Sequence, residues 1–154
     1  MQMKLVLAIG IPLALMSSKT SPAPEALAVD GRNVDEIEVY YRRFTTLSYM
    51  AYTERDLIKT NDLSSRVTDV QAMRETWEAL PTSCMSPPSG RHYGEDLRVL
   101  IRIHGAGRLI GAYRISKFAF TSSDFNGTCV LGDGQRKKIE AVMVHLSDRS
   151  QKQH

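Results

Sequence analysis

The sequence predicts an α+β domain: a small antiparallel sheet with a central β-hairpin, two amphipathic helices packed on one face, and one disulfide. Three observations lead there. Leu97–His104 alternates in pattern and is followed by Gly105-Ala106-Gly107 and a second β-rich run, as a hairpin requires. Two segments, behind Asp69 and behind Asp133, instead space their apolar residues at helical intervals. Helices and strands that do not alternate as βαβ units favour an antiparallel sheet with helices gathered on a face.

Residues 1–28 predict a cleavable signal peptide. Lys4 supplies the positive start, and Leu5–Met16 then runs for 12 residues without a charge. That length suits a signal core and falls short of the ~20 residues that span a bilayer. Pro12 would weaken a lasting helix there. Ala26-Leu27-Ala28 has the small-x-small form that signal peptidases accept, and a cut near Ser18 is the alternative. The competing reading is an apolar helix packed on the domain. The expected organisation is therefore signal peptide 1–28, one α+β domain at 29–147, and a frayed polar tail at 148–154. Cleavage removes Lys4, Lys19 and Glu25 and takes the net charge from +3 to +2. Such a balance gives no reason to expect nucleic acid as a partner. No later segment is apolar for long enough to be an integral membrane span, and the expected location is secreted or periplasmic.

The elements follow in chain order. In Val34–Phe44, Ile37, Val39 and Tyr41 share one face and Glu36, Glu38 and Tyr40 the other, which predicts a half-buried strand. Thr45–Tyr52 is a loop or a strand continuation. Thr53-Glu54-Arg55-Asp56 can begin a short helical turn through Ile58, and polar Lys59–Ser65 reads as a loop. Thr68 or Asp69 caps a helix carrying Val70, Met73, Trp77 and Leu80, which Pro81 stops. Thr82–Glu95 is a long connection. Leu97, Val99, Ile101 and Ile103 are expected to face the helices, through Trp77 and Leu146. Arg98, Leu100, Arg102 and His104 take the opposite face, with the arginines and the histidine exposed to solvent. Leu109–Thr121 returns as the second strand of the hairpin, Ser122–Gly127 turns, and Thr128–Leu131 is a short strand. Behind Asp133, the residues Ile139, Val142, Met143 and Leu146 form the stripe of a last helix.

The two cysteines, Cys84 and Cys129, are an even pair in an exported chain and are expected to be bonded. No C-x-x-C marks a redox pair. Gly105-Ala-Gly107-Arg-Leu-Ile-Gly111 imitates a dinucleotide fingerprint, but strand-like LIGAYRISKFAF follows where a helix is needed, so it is read as a hairpin turn. None of His92, His104, His145 and His154 stands in a metal-ligand spacing, and no metal or cofactor is expected. No G-x-S-x-G marks a nucleophile. Asn126-Gly127-Thr128 fits a glycosylation sequon, relevant in a eukaryotic chain.

Two functions remain. The first is a non-enzymatic extracytoplasmic binding module of inhibitor, immunity or envelope-associated type, acting through a sheet face. Arg98, Arg102, His104 and Arg114 lie on two strands of the hairpin and form a candidate basic face for an acidic protein or an anionic ligand. The second is a small secreted hydrolase, with His92 as general base beside Glu95 or Asp96 in the Arg91–Asp96 loop.

Overall fold

A computed structural model describes residues 26–47, 51–87 and 96–151. The expected signal peptide as far as Glu25, the His92 loop with Glu95, and the last residues of the tail lie outside these. The elements are β1 (Leu27–Val29), β2 (Arg32–Val34), β3 (Glu36–Tyr41), α1 (Glu54–Thr60), β4 (Leu63–Val67), α2 (Val70–Glu78), β5 (Leu97–Gly105), β6 (Arg108–Ser116), β7 (Ala119–Ser122), β8 (Phe125–Val130) and α3 (Asp133–Gln151). Among the described residues, β1 and β2 form a separate hairpin, and six strands form one antiparallel sheet in the order β4-β3-β5-β6-β7-β8. The fold class is α+β, with a larger sheet and one more helix than the sequence predicts.

Alternation decides which residues meet the first layer of helices. The register sets Ile37, Val39 and Tyr41 of β3 opposite Ile103, Ile101 and Val99 of β5. Tyr113 and Ile115 continue the row on β6, and Phe120 and Cys129 on β7 and β8. Met73 of α2 and Ile139, Met143 and Leu146 of α3 join them in one core, with Trp77 half-buried at its margin. Burying each large aliphatic side chain contributes about 1.5–3 kcal/mol, so this row is the main source of stability. Asp69 caps α2, accepting from the Ala72 amide at 2.8 Å. Tyr41 donates to Glu140 of α3 at 3.4 Å, and burial with this carboxylate beside it pushes its phenol up to about 12.

The hairpin turn is as expected. Ala106 and Gly107 both have positive φ, 50° and 69°, which suits a two-residue turn between right-twisted strands. Gly105 has a separate reason to lack a side chain, since a Cβ there would run into the Asn33 carbonyl oxygen of β2. Gly107 thus serves the turn, and Gly105 the close approach of β2.

Several expectations are corrected. Lys59–Ser65 is not all loop, because Leu63–Val67 pairs with β3 as the sheet edge. The run Leu109–Thr121 is two strands, reversing at Lys117–Phe118. Helix α3 runs on to Gln151, past the point where the polar tail was expected. A register shift between Leu97 and Val99 turns Leu97 away from the main core. It packs instead with Leu57 and Leu100 in a second cluster, flanked by Tyr40 and Ile58. Helix α1 thus covers part of the face that was expected to be bare. The molecule has helices on both sides of the sheet.

Candidate functional site

The face under α1 is built from the Thr53 cap outward. The Thr53 amide donates to Asp56 at 3.2 Å and the Asp56 amide donates back to Thr53 Oγ1 at 3.3 Å, a reciprocal cap that fixes the helix start. The segment before it is tied to β5: the Leu97 amide donates to the Tyr52 carbonyl at 3.0 Å, and the Tyr52 amide to Asp96 at 3.3 Å. These bonds hold Glu54, the first helical residue, over the middle of the sheet.

Glu54 there meets two of the four residues of the candidate basic face. Arg102 Nη2 donates to its Oε1, and Arg114 Nε donates to its Oε2 at 2.9 Å. Burial pushes the Glu54 carboxyl up, but the hydrogen bonds from Arg102 and Arg114 outweigh it and hold the group below the ordinary glutamate range. Arg102 also stands 3.7 Å from Glu38, whose other oxygen is 3.2 Å from Arg66. A ladder of alternating charge therefore crosses the face from Arg66 on β4 through Glu38, Arg102 and Glu54 to Arg114 on β6.

The basic residues are unequally placed. Arg98, expected to be exposed, is 4 % exposed. It donates through Nε to Asp96 at 2.9 Å, and its guanidinium lies 5.6 Å from the centre of the Tyr52 ring. The physical reason is α1 and the Tyr52 segment, which fold back over β5 and force a long side chain to find internal partners. The side chains of Arg102 and His104 are 30 % and 21 % exposed, half-buried where full exposure was expected. Arg114, at 49 %, is the most open of the four, and its terminal nitrogens have no partner among the described residues.

Beside α1 the sheet face stays open as a cleft of about 340 Å³. Leu97 and Ala119 form its buried floor, Phe120 joins the lining although its ring belongs to the core across the sheet, and Thr121 and Thr128 supply hydroxyls from β7 and β8. The Ser116 hydroxyl, also at the cleft, donates to the Ala119 carbonyl at 3.0 Å. Tyr52, Thr53, Glu54 and Arg114 form the remaining wall. Volumes of this order accommodate small ligands, and an apolar floor with a few convergent polar groups is their usual setting. Sequence reasoning identified Arg114 but not the cleft, whose members come from five separated segments.

Cys84 and Cys129 are bonded, with Cα atoms 5.0 Å apart. The bond fastens the segment after α2 to β8, next to a backbone hydrogen bond in which the Val130 amide donates to the Met85 carbonyl at 2.7 Å. Of the hydrolase residues, His92 and Glu95 lie outside the described residues, and Asp96 is engaged by Arg98 and the Tyr52 amide. Asn126 is exposed on β8. One group was missed by sequence spacing: Glu36, Glu38 and His104 bring donor atoms within 4.8 Å of one another across β3 and β5. No helix among the described residues is long and apolar enough to cross a membrane. No protein-family model, no curated protein and no solved structure matches the chain.

Proposed function

We propose that this chain is exported and that its domain is a non-enzymatic binding module, holding a small carboxylate-bearing ligand on the sheet face beside α1. The observation that carries the binding site is the cleft with Arg114 on its wall. Arg114 Nε is held by Glu54, which orients the guanidinium and leaves the terminal nitrogens for a planar anion. Arg98 and Arg102 are matched by Asp96, Glu54 and Glu38, so they brace the wall and do not attract a broad acidic surface. A small anion meeting one oriented guanidinium and two free hydroxyls, of Thr121 and Thr128, fits this arrangement better than a large acidic protein. The Thr121 and Thr128 hydroxyls donate to the ligand's remaining oxygens, and the floor takes its apolar part.

The test is a thermal-shift screen with small carboxylates, comprising dipeptides and sugar acids. A ligand that binds only the folded state stabilises it by about 2.7 kcal/mol at a hundred times Kd, a rise of several degrees. Thr128→Trp, which fills the cleft from an exposed position on β8, and Arg114→Gln should both abolish the rise while the unliganded Tm stays near wild type. A hit that stabilises all three proteins equally contradicts the site.

Export is supported by the ordered signal regions and by the bonded cysteines, which suit an oxidising compartment. Leu27 is 4 % exposed and packs in the main core, which favours a cut upstream of Ala26 over one after Ala28. Mass spectrometry of the native protein is expected to find a mature N-terminus in the region of residues 19–26. An intact Met1 in a cytosolic fraction contradicts the export reading.

A further inference from the structure

The Glu36–Glu38–His104 group is a cross-strand constellation. Residues two apart on a strand share a face, which puts both glutamates on the same side of β3. The antiparallel register then sets Glu36 directly opposite His104 on β5. A second feature sets the group apart from an ordinary patch of surface carboxylates. His104 Nε2 is buried and has no hydrogen-bond partner, with Glu38 Oε2 3.6 Å away, outside hydrogen-bonding distance. Buried ring nitrogens are normally satisfied, so one aimed at two carboxylates and bonded to neither needs an explanation.

We propose that Glu36, Glu38 and His104 bind a divalent transition-metal ion, zinc above others. One imidazole and two carboxylates balance the ion's charge. They also suit zinc better than calcium, which takes six to eight oxygens. Zinc holds such ligands at about 2.0–2.2 Å, so the donor atoms must draw in by roughly an ångström from their present spread. The flexible ends of two glutamates can supply that movement. The arginines near Glu38 do not prevent it. Arg66 is 72 % exposed and can swing to solvent, while Arg102 keeps its closer partner Glu54. Three protein ligands leave one position of a tetrahedral ion for water or a ligand. The site lies at the opposite end of β5 from the cleft, and its occupancy is independent of the carboxylate-binding proposal.

Titration calorimetry of the purified full-length chain with zinc chloride tests this, with cobalt(II) absorption as a report of four-coordination. One equivalent is expected to bind. Glu36→Gln should weaken binding at least tenfold and His104→Asn about a hundredfold or more, whereas joint replacement of His92, His145 and His154 should leave it unchanged. Glu36 makes no ion pair among the described residues, so Glu36→Gln remains informative if His104→Asn fails to fold. No binding at 100 µM zinc, equal affinity in Glu36→Gln and wild type, or loss of binding on replacing the other histidines would each overturn the proposal.

Discussion

Replacing Ile101 with alanine is expected to cost the domain about 2–5 kcal/mol, the usual range for a large aliphatic truncation in a close-packed core. Ile101 is 0 % exposed, opposite Val39 on β3 and Tyr113 on β6. It lies in the middle of the sheet, where neighbouring strands on both sides limit collapse around the vacated volume. Urea unfolding measures the effect. With slopes of roughly 1–3 kcal/mol per molar, the midpoint should fall by a molar or more while the slope is unchanged. A loss below about 0.5 kcal/mol would place Ile101 outside the core and reverse the two faces of β5.

Replacing Cys84 and Cys129 together with serine is expected to cost about 4 kcal/mol. The bond spans a sequence separation of 45 residues, and closing a loop of that size removes about this much chain entropy from the unfolded state. Cys129 is 0 % exposed in the main core, so the serine hydroxyl adds a desolvation cost. Thermal unfolding of the double variant should lie at or somewhat below that of wild type with reductant present, both well below the oxidised protein. Free-thiol labelling of the oxidised protein should find no reactive sulfhydryl. Equal stability with and without reductant would show that the bond contributes nothing.

The elements legible in the sequence are those that carry their own periodicity. Ile37, Val39 and Tyr41 announce β3, and the stripe from Ile139 to Leu146 announces α3. The Thr53–Asp56 spacing marked the start of α1, but Leu57 and Ile58 alone did not say what that helix would cover. Strand β4 was hidden because it is an edge, apolar only at Leu63 and Val67 where it meets the core. The reversal at Lys117–Phe118 lacks glycine and proline, so two strands read as one. Leu97 was assigned by strict alternation, which a register shift breaks without altering composition.

The candidate sites were less legible for a related reason. Glu38, Glu54, Arg102 and Arg114 are drawn from three strands and a helix, and only the strand register brings them together. The alternation in β5 correctly suggested that Arg102 and His104 share a face. It could not show that Glu38 and Glu54 would meet them, and so it overstated the free positive charge.

The most direct test of the binding-face account is an amide chemical-shift map of the domain with a carboxylate that stabilises it. The expected result is a contiguous set of perturbed amides at Tyr52–Glu54, Leu97, Arg114–Ser116, Ala119–Thr121 and Thr128, which is lost in Arg114→Gln. Perturbations concentrated on α2 and α3, across the sheet from Arg114, would contradict it.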